Sequence, residues 1–468
     1  MAPTEYDLIA YPAMPRQQTH PDRLAAVGKL FGMAPAPVER CRVLEIGCSD
    51  GGNLIPMACV LPESRFVGLD LAAGPIAAGK RAACDLGLEN LTLRACDLRE
   101  IDDSWGEFDY ILAHGLYSWV PDEVRERLLA VCRERLANEG IAFVSYNAYP
   151  GGHMRQMLRE MMLHRTRQAA NIGEKIRQAR EFLESLQRAR LLSPAWQEVR
   201  DQEAKLLLDR DDGGLYHDEL AEWNQRFYFH EFAAAAHRHG LAYLGEAEPH
   251  EMFDPQGALA GFQGDVIEFE QSLDFLKSRR FRQTLLCREE TQLRRQTAPE
   301  QMADFMFSAP GRQLENGQIE GARGVCIGTS NEAAIAVARA LGEVYPLPVG
   351  FEELVPYAGS AGALGPMLYE MMTVGFVDLH VFDFPCQDSV TERPRATRLA
   401  RYQAPRADEV TSVCHINMKL DEMGRRLVGL LNGHRMHSEI AAAWKVDRAR
   451  EMLGPYLEWL ATRGLLEG

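Results

Sequence analysis

Apolar positions along the first 150 residues fall into two alternating patterns. Val43, Leu44 and Ile46 form a short run that Gly47 interrupts, and Gly51 and Gly52 precede a helix start at Asn53 and Leu54. The strand signature recurs in Phe66-Val67-Gly68-Leu69-Asp70, in the run ending at Ala95-Cys96-Asp97-Leu98, and over 108–114 and 140–146. Between the last two, Val124, Leu128, Val131, Cys132 and Leu136 lie on one helical stripe. Strands separated by helices predict a parallel sheet with helices on both faces.

Beyond Pro150-Gly151-Gly152 the pattern changes. Residues 153–212 are poor in glycine and rich in Arg, Gln, Leu and Ala, which reads as consecutive helices. A helix at 227–239, followed by Gly240-Leu241 and a short strand, returns to the sheet. Residues 256–300 read as helical, 275–286 included. Farther on, 365–377 matches 454–466 with Gly, Pro, Leu, Thr and Gly in register, a degenerate repeat. Each copy follows a short acidic-apolar helix (351–354 and 437–440), and three short helices before a Gly-apolar-apolar ending resemble a winged helix. The divisions predicted are a core over 1–152, a helical insertion over 153–214 serving as lid or dimer contact, and core completion over 215–255. A middle, regulatory region over 256–325 and a winged-helix-like region over 326–468 follow.

Length and charge narrow the classes. At 468 residues, two to four domains are expected. The formal charge of −16 argues against generic nucleic-acid binding. Within 153–200 ten Lys/Arg face five Glu, which reads as solvated helix faces or a surface for an acidic partner. Neither a secretory leader nor an apolar run of membrane-spanning length is evident. Ten scattered cysteines without a C-x-x-C pair indicate reduced thiols and a cytoplasmic location. His217, His230, His237 and His239 show no metal-ligand spacing and read as structural.

The chemistry concentrates where the first strand turns into its helix. Glycines there let backbone N–H groups approach a ligand, and Asp70, ending the second strand, can accept from both ribose hydroxyls of a nucleoside. Ser49 stands where a dinucleotide fingerprint has its second glycine. Glu45-x-Gly47-x-x-x-Gly51 instead resembles motif I of the class I S-adenosylmethionine methyltransferases. With Gly115-Leu116-Tyr117-Ser118-Trp119-Val120-Pro121, Ser145-Tyr146-Asn147-Ala148-Tyr149-Pro150-Gly151, Tyr228-Phe229-His230-Glu231-Phe232 and 281–287, the chain resembles bacterial methyltransferases carrying a methyltransferase regulatory domain. Characterised members methylate lysines of bacterial outer-membrane proteins.

That resemblance implies an α/β fold: a Rossmann-like core with a helical insertion, then mainly α domains resembling winged helices. It implies S-adenosylmethionine as methyl donor, S-adenosylhomocysteine as product and no metal. Cofactor contacts are expected at Glu45, Gly47, Cys48, Ser49, Gly51, Asn53, Asp70, Leu71, Asp97, Leu98, His114 and Gly115. In the N-terminal segment, Tyr11 or His20 either touches the cofactor or belongs to a capping turn. The acceptor is expected to be a protein lysine amine, in a pocket walled by Tyr117, Trp119, Tyr146 and Tyr149. Asn147 would position the amine, and His114 would accept a proton or pack on the adenine. Rival readings are a small-molecule methyltransferase and a cofactor-sensing regulator without catalysis. Partners expected are a protein substrate and a second copy bound through the insertion, without nucleic acid.

Overall fold

A computed structural model describes residues 13–190, 193–386 and 390–467. Seven strands form the central sheet: β1 (Arg42–Ile46), β2 (Arg65–Asp70), β3 (Leu91–Ala95), β4 (Phe108–Ala113), β5 (Leu136–Asn147), β6 (Leu241–Glu246) and β7 (Phe281–Arg288), in the order 3-2-1-4-5-7-6. β1 to β5 run parallel; β7 is antiparallel to both β5 and β6. The order reverses direction at β1/β4, so a crevice opens beyond the C-terminal ends of those strands.

Both faces are covered, which is why the strands read as continuous apolar runs. On one face α1 (Pro21–Leu30) and α2 (Leu54–Val60) contribute Leu24, Val27, Leu54 and Met57 to a cluster with Val43, Leu112 and Phe143. On the other, Leu128 and Val131 of α3 (Asp122–Arg135) and Phe232 of α4 (Phe229–Arg238) pack on Leu44, Ile111 and Val144. Between β5 and α4, helices Gly152–Arg165, Ile172–Arg188 and Pro194–Leu208 enclose a separate small core of Leu158, Met162, Leu183 and Leu207. Its arginines are mostly committed: Arg155 pairs with Glu203 at 2.9 Å and Arg180 with Asp212 at 2.8 Å.

Two sequence readings are corrected here. Residues 281–288 are a strand, not helix, and core completion extends past 255 to include it. The polar positions that mimic a helix stripe point inward: fully buried Arg282 meets Glu246 at 2.6 Å, Asp274 at 2.8 Å and Glu270 at 3.0 Å. Its guanidinium also lies over the Phe229 ring at 3.8 Å. Ser278, at φ 48°, ends the preceding helix Val266–Lys277 in the left-handed region and lets the chain turn into β7.

The rest forms two units, and their boundary lies near 385–395 rather than at 326. The first surrounds Phe307, Leu341, Leu368 and Phe376, with strands Met306–Ser308, Val349–Gly350 and Asp378–His380. The second surrounds Trp444, Leu457 and Leu460, with a hairpin of Glu409–Thr411 and Asn417–Lys419. The two repeat copies fall in different units. Each is a helix with an internal proline (Pro366, Pro455), closed by a glycine at positive φ (Gly375, Gly464). No described helix is long and apolar enough to cross a membrane.

Candidate methyl-donor and acceptor site

The loop from Gly47 to Asn53 leaves β1 at the switch point and enters α2. Gly47 has φ +80°, and a Cβ there would meet only Leu116, at 3.7 Å. Gly115, at the end of β4, has φ +65°, and a Cβ there would meet nothing within 4 Å. Both glycines keep this side of the crevice bare for a close ligand. Asp70 closes the loop from β2: Oδ2 accepts from the Ser49 N–H and Oδ1 from the Ala72 N–H, both at 2.8 Å. Ser49 is held at φ 50°, a left-handed conformation that glycine adopts more readily. Leu71, beside Asp70, is exposed and offers an apolar face to a base, whereas Cys48 and Leu98 are buried.

Glu45 is 4 % exposed and central to the site's electrostatics. Burial pushes its carboxyl up to about 7, and the neighbouring Asp70 and Asp50 charges add to that while the Asn53 hydrogen bond opposes it. Oε1 accepts from Asn53 Nδ2 at 2.8 Å; Oε2 is buried with no partner among the described residues. A buried oxygen of this kind, beside bare glycines and a carboxylate at the end of β2, fits the ammonium and ribose of S-adenosylmethionine. Glu45 and the loop amides would hold the amino-acid end, Asp70 the ribose, and Leu71 the adenine. Asp97, at the end of β3, is already clasped by Arg99 at 2.6 and 3.0 Å, so a base contact there requires Arg99 to yield.

Sequence reasoning missed the partners of Asn53. Its side chain does not cap α2. Instead Oδ1 accepts from the Arg16 N–H at 2.9 Å and faces His415 Nε2 at 2.8 Å, while Nδ2 also donates to Thr19 at 3.0 Å. No local signal points to His415, which lies 362 positions away. His20 is a buried cap of α1, accepting from the Asp22 N–H at 3.2 Å. Tyr11 lies outside the described residues.

The residues expected to line the acceptor pocket separate into two groups. Tyr117 and Tyr146 are core: Tyr146 is 0 % exposed and stacks on Phe232 at 4.2 Å, and Tyr117 packs edge-on against Phe227 and Phe232. They therefore do not form an open wall. Trp119, Asn147 and Tyr149 stay half-buried at the C-terminal edge of β4 and β5. The Trp119 indole N–H is buried without a partner among the described residues, and Asn147 donates to Asn224 at 3.0 Å. His114 stacks on Phe143, and burial, with Arg16 nearby, pushes its pKa down to about 3. A ring that weakly basic is a packing surface and a poor proton acceptor at neutral pH.

Phe281, paired with Asn147 across β5 and β7, brings its ring within 6.2 Å of His114. It also borders a cavity of about 370 Å³ between the sheet edge, the N-terminal segment and the middle unit. Gln17, Glu246, Glu248, His250 and Asp378 line this space. Its lining is mostly polar.

Comparisons with known proteins agree with this arrangement. A methyltransferase domain family matches residues 43–140, a predicted methyltransferase regulatory domain 211–288, and the C-terminal winged helix domain of PKMT 392–455. The regulatory segment thus includes α4, β6 and β7, the part that completes the sheet. The uncharacterized protein RP789 of Rickettsia prowazekii is 39% identical over 296 residues, 62% of this chain and 54% of that one. The chain therefore spans about half of that relative's length. RP028 of the same organism is 36% identical over 237 residues, 50% of this chain and 94% of that one. The structure of PKMT2 from Rickettsia typhi, at 27% identity, covers 98% of this chain and 100% of its own with a TM-score of 0.84. The same protein in complex with AdoHcy matches over the same extent at 26% identity. This chain belongs to the S-adenosylmethionine-dependent methyltransferases that join a methyltransferase domain and regulatory domain to a PKMT-type C-terminal winged helix.

Proposed function

We propose that the protein transfers the methyl group of S-adenosylmethionine to a lysine ε-amine of a protein substrate. The observation that carries this reading is the likeness of the whole chain to PKMT2, a protein-lysine methyltransferase, through the middle and C-terminal units as well as the core. The sulfonium supplies an activated methyl, so the protein has to align a neutral amine behind it. A free lysine amine holds its proton below about pH 10.4, and withdrawal from water favours the neutral form. The site favours desolvation over a base: His114 is too weakly basic, and burial raises the Tyr117 phenol to about 12. The acceptor side chain enters through the cavity beside Phe281, with Trp119 and Asn147 at the edge of the crevice. The methylated product stays cationic and can lean on aromatic faces there.

The helical insertion is proposed to join two copies, supported by Met154 and Leu206, which are exposed on it; light scattering in solution tests this. The reaction is placed in the cytoplasm, consistent with ten scattered cysteines without a C-x-x-C pair, and cell fractionation tests it. Purified protein with S-adenosylmethionine, offered lysine-rich proteins and small amines in parallel, tests the main reading by peptide mass spectrometry. Gains of 14 Da multiples on lysines, ~14 Da being one methyl in place of hydrogen, are expected. Transfer confined to small amines would overturn it.

A further inference from the structure

The hairpin of the C-terminal unit reaches beyond its own core. Its tip residues Val413 and Cys414, with Ile416 against them, join the cluster that contains Cys48 and Leu54, directly behind the methyl-donor loop. Between them His415 is held at φ 60°, the left-handed region that an imidazole-bearing residue occupies only when surrounding contacts impose it. His415 is 3 % exposed, and its Nε2 lies 2.8 Å from Asn53 Oδ1. Burial, with His20 at a ring distance of 5.4 Å, holds the imidazole neutral; the Arg16 backbone N–H fixes the facing Asn53 atom as the amide oxygen, so the tautomer that meets it carries its proton on Nε2.

The direction of the Asn53 amide follows from its partners. Two N–H donors, from Arg16 and His415, face Oδ1, which leaves the NH2 group pointing at Glu45. Asn53 Nδ2 ties down Glu45 Oε1 at 2.8 Å, and Oε2 is the carboxylate oxygen left without a partner among the described residues. A flipped or wandering amide would turn a carbonyl oxygen toward the carboxylate and repel it. Three segments therefore converge on one side chain at the start of α2: the N-terminal segment, β1 and the C-terminal hairpin.

We propose that His415 is a positioning residue of the methyl-donor site, acting through Asn53 on Glu45, so that the C-terminal unit forms part of cofactor binding. The inference rests on the assignment of that site and is independent of which amine accepts the methyl. It implies that a ligand moving the hairpin would change affinity for the methyl donor.

Calorimetric titration of the full chain with S-adenosylhomocysteine tests it. His415→Asn keeps a residue that accepts the left-handed φ but is too short to reach Asn53; His415→Gln restores a donor with longer reach. Loss of one buried hydrogen bond predicts about tenfold weaker binding for His415→Asn, and recovery to within about threefold of wild type for His415→Gln. The Michaelis constant for S-adenosylmethionine should rise in the same order while kcat holds. In an Asn53→Ala background His415→Asn should add less than about twofold. Melting without ligand separates these effects from unfolding. Wild-type affinity in a folded His415→Asn variant, or losses that simply multiply in the double variant, would overturn the proposal. No binding by the wild type would instead overturn the site itself.

Discussion

Asp22 and His380, 358 positions apart, are joined by a hydrogen bond of 2.7 Å between Oδ2 and Nδ1, with both side chains 1 % exposed. The other oxygen of Asp22 accepts from the N–H groups of Val381 and Phe382 at 2.7 and 2.9 Å. One carboxylate on the first helix thus holds the end of the middle unit's strand Asp378–His380. Next along the chain, Arg23 reaches Asp378 at 2.7 Å. These contacts fasten the middle unit against the core, and Asp378 lines the cavity beside Phe281.

Asp22→Ala should destabilise the protein by about 3–5 kcal/mol, because it strands buried N–H groups and a buried imidazole. Burial alone would raise the Asp22 carboxyl, but His380 and the backbone donors hold it below the ordinary 3.8. A depressed carboxyl contributes stability that is complete above the unfolded value and is lost as pH falls through the folded one. Urea unfolding should therefore show stability falling below about pH 4 in the wild type, with a smaller fall in Asp22→Ala. Equal acid sensitivity in both would contradict this role.

Much of the core was legible in sequence because each strand end carries its chemistry locally. Gly47, Asp70 and Gly115 are spaced by the strand–helix repeat itself, so their convergence follows from the order of elements. The acceptor side was harder to read. Tyr117 and Tyr146 sit close to half-buried Trp119 and Asn147 in sequence, yet Tyr146 lies in the stretch of β5 that is covered on both faces and Asn147 at its open end. β7 was disguised by Arg282, a charged residue buried only because three carboxylates on other elements surround it. The Asn53–His415 contact depends on docking between units, for which a single chain gives no periodic signal.

Asp70→Ala should weaken binding of S-adenosylmethionine by roughly 2–4 kcal/mol through lost ribose contacts. It should also loosen the loop itself, since Asp70 holds the Ser49 and Ala72 N–H groups. Asp70→Asn retains one acceptor oxygen and should fall between. Calorimetric affinity and apo melting, measured together, separate the two effects; unaltered affinity in Asp70→Ala would remove Asp70 from the site.

Glu45 predicts how cofactor binding depends on pH. Its folded value of about 7 lies above the ordinary 4.5, so the folded apo protein holds this proton more tightly than the unfolded chain does. The stability from this group is full below pH 4.5 and is lost as pH rises through about 7. The cofactor ammonium requires the carboxylate, so affinity should climb between about pH 6 and 8 and decline above that, as an α-amino group with a pKa near 7.7–8.0 loses its proton. Glu45→Gln should bind more weakly and lose the acid limb. A flat profile in the wild type would show that Glu45 does not meet the amino group.

Tyr146 and Trp119 distinguish a core aromatic from one at the acceptor edge. The Tyr146 hydroxyl is 3.3 Å from Thr284 Oγ1, a long hydrogen bond, and Thr284 keeps its own contact with Glu246 at 2.9 Å. Tyr146→Phe should then cost less than about 1 kcal/mol and leave both cofactor affinity and methyl transfer near wild type. Tyr146→Ala, by contrast, should cost about 3–5 kcal/mol through the cavity it opens against Phe232. Trp119 differs because its indole N–H has no partner to lose among the described residues. Trp119→Phe should fold normally and bind S-adenosylhomocysteine as wild type, yet slow transfer to a protein lysine. The pair is read by melting, calorimetry and mass spectrometry on the same preparations. If Tyr146→Phe melts normally but slows transfer while Trp119→Phe does not, the acceptor lies on the Tyr146 side and the cavity beside Phe281 is not its entrance.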